Sequence, residues 1–364
     1  MKNKVIAING ESWCRELTGI ERVAFETVKY LDEKISPGCA ELVVPKNARG
    51  LPSLSNIKIV TLPVEANFFP KWNQIHFQKY VLKNRRIPLD FSNSCPYFAP
   101  GFDFIHDIYA HLHKDDYAQS WRDKLIRLYS EIMYRRIAKK SKIVFAVSEY
   151  TKKTIVESYK IDAERVRVVY AGLGEIKDIP ADDSIFDSLP KLRGKEFYFT
   201  LGSLSTRKNL KWIARHAELF PNETFVVSGK PLPSVVAPEL KNLGSLENVV
   251  MAGYLSDAQV KALMQKCKAF IFPSYFEGFG IPPLEALSVG AKIVISERTS
   301  LPEIYGDCAY YIDPDEPNVD LNALLQKPVA PAAGRDFAKI HVAEHRRTNL
   351  RRACAVFAVL IRVA

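Results

Sequence analysis

Short β-branched and aromatic runs alternate with helical patterns along most of this chain. In the first half the runs cover residues 5–9, 42–44, 57–62, 104–106 and 143–148. In the second half they cover residues 197–201, 225–228, 249–252, 269–273 and 293–296. Strands that alternate with helices are joined by right-handed crossovers into parallel sheets. The alternation therefore predicts an α/β fold, with helices expected at residues 20–32, 122–140, 209–220, 256–266 and 282–289.

The length of 364 residues favours two such domains, because one core rarely grows beyond about 250 to 300 residues. We predict a first Rossmann-like domain over residues 1–175 and a linker over 176–195, where glycines, prolines and acidic residues show little periodicity. A second Rossmann-like domain is predicted over 196–335. The last residues, 336–364, are expected to form a helical segment that packs back on the first domain.

The compartment and the surface chemistry are less constrained by the sequence. The six cysteines show no metal-ligand spacing, no stretch is apolar enough to span a membrane, and the first ten residues suit a strand better than a leader. We therefore expect a cytoplasmic protein. The net charge of +10 and the arginines near the chain end leave open peripheral contact with an anionic membrane, beside ordinary solvated basic faces.

The loop of residues 202–209, GSLSTRKN, follows one predicted strand and precedes a helix. Such a loop directs free backbone N–H groups to the carboxyl edge of a parallel sheet, where anions bind. Arg207 and Lys208 add two cations suited to a diphosphate, and Ser203 adds a hydroxyl. An arginine and a lysine that only face water would give the same local pattern.

The loop of residues 277–286, EGFGIPPLEA, follows a second buried strand. Gly278 and Gly280 allow the main chain to approach a ligand closely, and a proline opens the next helix. Glu277 lies in the loop and Glu285 about one turn into the helix. One carboxylate can then sit beside a sugar while the other accepts hydrogen bonds from ribose hydroxyls.

The two loops together resemble the nucleotide-sugar half of glycosyltransferase family 4, the retaining family with the GT-B fold, over residues from about 197 to 314. The resemblance implies two Rossmann-like domains whose parallel sheets face across a cleft. It also implies roles for individual residues: Arg207 and Lys208 neutralise the donor diphosphate, Glu277 contacts the donor sugar, and Glu285 binds ribose. Main-chain amides around Phe279, Gly280 and Ile281 would meet the sugar or the phosphates.

The first half resembles the family more loosely. Gly19 begins a helix where its amide could face the leaving phosphates, although Thr18 stands where the family commonly has a second glycine. His106 matches the position from which a histidine reaches the donor sugar, and Asp107, the next residue, is assigned to the acceptor side. Four residues could rim the acceptor side, or could equally be packing or surface residues. They are Trp13, Arg15, Trp72 and His76.

The resemblance implies a retaining hexosyltransferase, with mannose, glucose or rhamnose as the sugar, acting on a glycan or a polyprenyl-linked acceptor in the synthesis of a cell-surface polysaccharide such as lipopolysaccharide or capsule. We expect no cofactor and no metal, because the two cations can offset the diphosphate charge. A nicotinamide oxidoreductase is disfavoured by the lack of G-x-G-x-x-G, and a nucleic-acid partner by the lack of a basic-aromatic element. A non-catalytic nucleotide-sugar-binding protein on the same fold remains the alternative.

Overall fold

The computed structural model describes residues 5–15, 19–118, 120–171, 175–229 and 243–329. These residues fall into two compact units. Unit 1 contains the described residues of 5–114 and 124–171, and unit 2 those of 115–123 and 175–329. The predicted C-terminal helical segment, 336–364, and Thr18 lie outside the described residues.

Unit 1 is built on a seven-stranded parallel sheet in the order β3-β2-β1-β4-β5-β6-β7. Every pair of neighbouring strands in this sheet is parallel. The strands are β1 Ile6–Asn9, β2 Ala40–Pro45, β3 Lys58–Leu62, β4 Ile87–Asp90, β5 Phe102–Ile105, β6 Ile143–Ala146 and β7 Val166–Val168. The order reverses between β1 and β4, and this reversal places a crevice at the carboxyl ends of those two strands.

Helices connect the strands of unit 1. They are α1 Gly19–Lys34, α2 Phe69–Lys71, a π-helical stretch Trp72–Phe77, α3 Gln78–Asn84, α4 Tyr109–Leu112, α5 Trp121–Lys140 and α6 Glu149–Tyr159, with 3-10 turns at Glu11–Cys14, Lys114–Tyr117 and Ala163–Arg165. Ser148 caps α6 by accepting the N–H of Thr151 at 3.0 Å. The first residues of α5 belong to the short segment 115–123, which the sequence analysis assigns to the first domain but which groups with unit 2.

Unit 2 is built on a six-stranded parallel sheet in the order β10-β9-β8-β11-β12-β13. The strands are β8 Phe197–Leu201, β9 Thr224–Ser228, β10 Val249–Gly253, β11 Ala269–Phe272, β12 Ile293–Ser296 and β13 Tyr310–Ile312. Strand β11 is buried throughout, as its unbroken apolar sequence predicts. The strand order reverses between β8 and β11, so the crevice of this sheet lies between the loops that follow those two strands.

The helices of unit 2 are α7 Ile185–Ser188, α8 Leu210–Leu219, α9 Asp257–Lys266, α10 Ile281–Ser288, α11 Leu301–Tyr305 and α12 Leu321–Leu324, with 3-10 turns at Glu175–Lys177, Pro190–Leu192, Thr206–Lys208 and Gly306–Cys308. Ser256 caps α9 through a capping box with Gln259. Trp212 and Ile213 carry the inner face of α8 into a buried core.

The segment 176–195, which the sequence assigns to a linker, is attached to unit 2. Lys261 donates from its Nζ to the carbonyl oxygens of Lys177 and Ile179 at 2.8 and 2.7 Å. The Asp182 N–H donates to the carbonyl of Ala258 at 3.0 Å. These bonds attach the segment to α9. Its low periodicity reflects a series of short helical turns. Across the ranges the structure describes, no helix is both long and apolar enough to span a bilayer.

Candidate functional site

The two loops that the sequence analysis singles out flank the crevice of unit 2. Residues 202–209 follow β8 and residues 273–280 follow β11, the two strands between which the order reverses. The Tyr275 N–H donates to the Arg207 carbonyl at 2.9 Å and joins the loops directly. Ligands of open α/β sheets bind at this position. The structure therefore brings together residues that lie about seventy positions apart in the chain.

Lys208 and Glu277 form a largely buried ion pair in this crevice. Lys208 Nζ donates to Glu277 Oε1 at 2.5 Å, and the two side chains are 12% and 7% exposed. Burial by itself would raise the pKa of Glu277, but the charges of Lys208 and Arg207 outweigh it and hold the pKa below its ordinary value. Lys208 also lies 4.7 Å above the centre of the Phe272 ring. Glu277 is thus ionised at neutral pH and can only accept hydrogen bonds.

The main chain of Glu277 is fixed by the turn that follows β12. The Glu277 N–H donates to Thr299 Oγ1 at 3.1 Å, and the Ser300 hydroxyl donates to the Glu277 carbonyl at 3.0 Å. Thr299 adopts a left-handed conformation with φ of 59°, and Ser300 is fully buried. Both backbone polar groups of Glu277 are therefore satisfied, and its carboxylate is held in one place. The sequence analysis did not assign this role to Thr299 or Ser300.

Asn209 joins three loops at the carboxyl edge of the sheet. Its side-chain amide donates to the carbonyls of Pro273 at 3.1 Å and Pro314 at 2.7 Å, and its Oδ1 accepts the Trp212 N–H at 3.3 Å. Asn209 is buried and left-handed, with φ of 55°, a conformation that asparagine tolerates better than most residues. It caps α8 and fixes the preceding Arg207-Lys208 pair against the loop after β11.

The start of α10 carries the remaining predicted donor-binding residues. Gly280 has φ of 85°, and a Cβ there would meet the Leu301 side chain at 2.7 Å, so packing as well as conformation requires glycine. Phe279, Ile281 and Glu285 are all buried, at 6%, 9% and 4% exposure. Burial holds the pKa of Tyr305 well above its usual range, and the charges of Glu277 and Glu285 act in the same direction.

Backbone donors are scarce at this helix start. Pro282 and Pro283 have no N–H, so within the first four residues of α10 only Ile281 and Leu284 offer one. The positive end of the helix still faces the loop. The side chains of Arg207 and Lys208 are therefore better placed than the helix amides to hold an anion at this crevice.

A small cavity lies beside Lys208. Its lining includes Gly202, Ser203, Lys208, Ser228 and Phe272. Ser203 and Ser205 hydroxyl oxygens lie 3.1 Å apart. Gly202 is closely packed, because a Cβ on Gly229, where φ is 149°, would meet the Gly202 carbonyl oxygen at 1.8 Å.

The equivalent crevice of unit 1 contains a buried network of uncharged hydrogen-bond donors around one carboxyl group. Asp90 Oδ2 accepts the side-chain amides of Asn9 and Asn73, each at 2.8 Å, and Asn9 Oδ1 accepts Trp72 Nε1 at 2.8 Å. Burial raises the pKa of Asp90 despite these bonds and those from Ser92. The sequence analysis missed this network and placed Trp72 only as an optional rim residue; at 1% exposure it is a packing residue.

Next to this network, Arg15 is held between two carboxylates. Its Nε donates to Glu11 Oε1 at 2.7 Å, and a second guanidinium nitrogen lies 3.7 Å from Glu21. The guanidinium also lies 4.6 Å from the centre of the Phe69 ring. Burial raises the pKa of Glu11 to about 7, partly opposed by Arg15. Trp13, the neighbouring candidate, is 4% exposed and packs 4.5 Å from Phe25, which is the packing interpretation of that residue.

His106 follows β5 and is mostly buried. Its Nε2 lies 2.6 Å from the Phe91 carbonyl oxygen, and because a carbonyl only accepts, Nε2 carries the proton. Burial lowers the pKa of His106, so the ring is neutral at pH 7. Asp107 accepts the Tyr109 N–H at 3.0 Å, and Gly19 is the first residue of α1. The sugar-orienting role of His106 stays a prediction.

Metal ligands do not converge in the described part of the chain, where no group of three or more His, Cys, Asp or Glu side chains could hold an ion. Asp313 and Asp315, which have the D-x-D spacing, both bind Arg298, at 3.2 and 3.0 Å.

Comparisons with known proteins agree with this arrangement. A family model described as glycosyl transferases group 1 matches residues 181–325, and one described as glycosyltransferase family 4 matches residues 17–173. The O-antigen chain mannosyltransferase B of Escherichia coli is 27% identical over 215 residues, which cover 55% of this chain and 56% of that protein. The serotype-specific mannosyltransferase WbdA of Escherichia coli is 30% identical over 212 residues, covering 54% of this chain and 26% of that protein.

The matches therefore span only about half, or less, of these relatives' own lengths. Among solved structures, sucrose-phosphate synthase from Thermosynechococcus elongatus superposes with a TM-score of 0.71 at 14% identity, covering 99% of this chain and 100% of that one. At that identity the likeness concerns the fold alone.

Proposed function

Because this chain belongs to glycosyltransferase family 4, we propose that it transfers a hexosyl residue from a nucleotide-diphospho-sugar to a glycan or lipid-linked acceptor during synthesis of a cell-surface polysaccharide. The observation that carries the proposal is the buried Lys208–Glu277 pair at the crevice of unit 2, with Arg207 beside it. The curated relatives named above act, by name, as mannosyltransferases, so mannose is the first sugar to test.

Lys208 and Glu277 suit the diphosphate and the sugar of a nucleotide-sugar donor, respectively. A diphosphate placed near Arg207 and Lys208 gains charge as the glycosidic bond breaks, and fixed cations stabilise that charge most in the transition state. Glu277 is ionised, so its oxygens accept hydrogen bonds from sugar hydroxyls rather than donate a proton. Glu285, buried one turn into α10, is the proposed acceptor of ribose hydroxyls.

The stereochemistry and the metal requirement are part of the proposal. With Glu277 occupied by Lys208 and by the sugar hydroxyls, we assign no protein carboxylate as covalent nucleophile. We propose retention by attack of the acceptor hydroxyl on the face from which the diphosphate departs, its proton passing to a phosphate oxygen. His106 would orient the sugar. The cations would take the place of a divalent ion, so transfer should continue in the presence of a chelator.

Binding and turnover are tested in sequence. The purified protein is first screened by thermal shift against UDP, GDP, ADP and dTDP sugars, because a donor that binds the folded state raises the melting temperature. The stabilising donor is then incubated with a lipid-linked glycan, with and without chelator, and the new anomeric bond is assigned by NMR. We expect transfer with retention in both conditions. Donor binding without transfer to any glycan acceptor would instead support a nucleotide-sugar-binding protein.

A further inference from the structure

Helix α8 of unit 2 carries polar side chains on the face that it buries. Asn209, the residue that caps the helix, is followed by Trp212 and His216 at intervals of three and four positions. The three residues are 2%, 2% and 0% exposed. Residues with this spacing share a helix face, so the three side chains can bind one extended segment.

The segment that they bind is the loop of residues 313–317, DPDEP, which we call the β13 loop. Each of the three side chains contacts a different carbonyl oxygen of this loop. The contacts are Asn209 Nδ2 to Pro314 at 2.7 Å, Trp212 Nε1 to Glu316 at 3.0 Å and His216 Nδ1 to Pro317 at 2.8 Å. Buried carbonyls need hydrogen-bond donors, and here the side chains of α8 supply them. The β13 loop is thus held along the helix by side chains.

The imidazole of His216 is held in one orientation. Its Nδ1 faces a carbonyl oxygen, which only accepts, so Nδ1 carries a proton. On its other side, Nε2 lies 2.7 Å from Glu223 Oε2. The ring also stacks on Trp212 and Phe220, with centroids 4.8 and 4.5 Å away. The Nδ1–H group therefore points at the β13 loop, because the partner of the other nitrogen fixes the ring.

Glu223 is itself fixed from two sides. Its Oε1 accepts the side-chain amide of Asn322 at 3.0 Å and lies 3.5 Å from the Tyr198 hydroxyl. The carboxylate cannot turn away from His216 without losing these contacts. The direction of the His216 N–H is accordingly set by a network that extends to α12.

The β13 loop in turn contacts the residues that hold the two candidate diphosphate-binding cations. Asn209, which binds the loop, directly follows Lys208 in the chain. The Tyr275 N–H donates to the Arg207 carbonyl at 2.9 Å. The Tyr275 hydroxyl forms hydrogen bonds with Asp315 of the loop and with Asn209. A displacement of the loop would therefore disturb contacts on both sides of the Arg207-Lys208 pair.

The position of these cations matters for a diphosphate. Arginine and lysine side chains lose rotamer entropy when a ligand fixes them, and a scaffold that holds them beforehand lowers that cost. A second phosphate group gains most from the scaffold, since it needs both cations at the correct separation. The preference for a diphosphate over a monophosphate thus measures how well the pair is held.

We propose that His216 is a positioning residue for the donor diphosphate: by holding the β13 loop against α8, it fixes the segment that carries Arg207 and Lys208. The inference rests on the proposed function, because it requires a nucleoside diphosphate at this crevice. It gives a role in donor binding to a fully buried histidine.

Two replacements separate this role from a merely structural one. In His216→Asn the side-chain amide takes the place of Nδ1 and can still donate to the Pro317 carbonyl. In His216→Gln the amide takes the place of Nε2, so it keeps the contact with Glu223 and loses the contact with the loop. Both variants lose the stacked ring, and we expect similar decreases in melting temperature.

The decisive measurement is the affinity for UDP and GDP relative to that for UMP and GMP. In His216→Gln the preference for the diphosphate should fall about three- to tenfold, as expected from the loss of one hydrogen bond. In His216→Asn it should stay within about twofold of the unaltered protein. Partial unfolding lowers the fraction of protein that binds and leaves this ratio unchanged. Hydrogen exchange at the Tyr275 N–H should also be faster in His216→Gln than in His216→Asn.

Arg215→Gln is the matched control, because Arg215 is the preceding residue of α8 and its side chain is 63% exposed. Trp212→Phe keeps an aromatic ring and removes the bond to the Glu316 carbonyl, so it should lower the diphosphate preference even if a histidine variant does not fold.

The outcomes distinguish the positioning role from the proposed function. Equal diphosphate preference and equal Tyr275 exchange in the two histidine variants would overturn the role of His216 and leave the donor site intact. Unchanged preference in Trp212→Phe would count against the β13 loop in the same way. Absence of any diphosphate preference in the unaltered protein would instead overturn the proposed donor site, and the positioning role with it.

Discussion

Each unit places a buried carboxyl group at the point where its strand order reverses, but the surroundings shift the pKa of that group in opposite directions. In unit 2, Glu277 faces Lys208 and Arg207, and its pKa is held below the ordinary value. In unit 1, Asp90 faces the amides of Asn9 and Asn73, and burial raises its pKa. A charged pair can exchange partners with an anionic ligand, whereas the partners of Asp90 are the neutral amides of Asn9 and Asn73. The comparison supports the diphosphate site proposed in unit 2, because the cations that would hold it lie beside the carboxylate there.

The largest effect is expected from Lys208→Ala, which removes the cation paired with Glu277 in unit 2. If the cation stabilises the leaving diphosphate, kcat/KM should fall by about 100-fold or more, since the loss of one fixed charge donor typically costs about 3 kcal/mol in the transition state. The change also leaves Glu277 buried without its main partner, so melting temperature must be measured alongside. Binding of a nucleoside diphosphate should weaken relative to the monophosphate, a ratio that partial unfolding does not alter.

Lys211→Ala is the matched control, because Lys211 is an exposed residue of α8 only three positions away. A Lys208→Ala enzyme within threefold of the unaltered rate would contradict the diphosphate assignment.

The second test concerns the hydrogen-bond network around Asp90 in unit 1. Asp90→Ala leaves the amides of Asn9 and Asn73 without their acceptor in a buried site, and should lower the free energy of unfolding by about 2 to 4 kcal/mol. Denaturant unfolding measures the loss, with the exposed Glu33→Ala as control. Nucleotide affinity should remain within twofold for the folded fraction. Weakened nucleotide binding at unchanged stability would mean that Asp90 contacts ligand.

The smallest effect expected is in the pH dependence of stability. Glu11 has its pKa raised to about 7, so between pH 8 and pH 5 the folded state takes up a proton that the unfolded state does not. Stability from this group should therefore increase as the pH falls through 7. Glu277 has the opposite sign, because its lowered pKa stabilises the fold above the usual range for Glu and the benefit is lost in acid.

Melting temperatures of the unaltered protein and of Glu11→Gln, measured from pH 8 to pH 5, check this directly. The difference between the two should change by a few degrees across the range. A constant difference would show that Glu11 titrates normally in the folded protein.

The sequence predicted most of the strands in both units and the two candidate loops of unit 2. It missed three strands: β4, β7 and β13. Strand β4 reads Ile-Pro-Leu-Asp, and proline is normally confined to edge strands, yet β4 lies between β1 and β5 in the middle of the sheet. Gly101 lies directly against this proline, because any Cβ there would meet the Pro88 carbonyl oxygen at 2.3 Å. Without β4, the crevice of unit 1 and its Asp90 network could not be foreseen.

What the sequence by itself determined is the chemistry of each loop: small residues for close approach, cations before one helix and a carboxylate before another, each following a buried strand. These are local patterns, and local sequence is enough to specify them. Only the tertiary structure decided which groups meet. Lys208 reaches Glu277, and Asn9 reaches Asp90, because the order of parallel strands brings distant loops to one edge. Whether a buried carboxyl is charged depends on those neighbours, which no single segment contains.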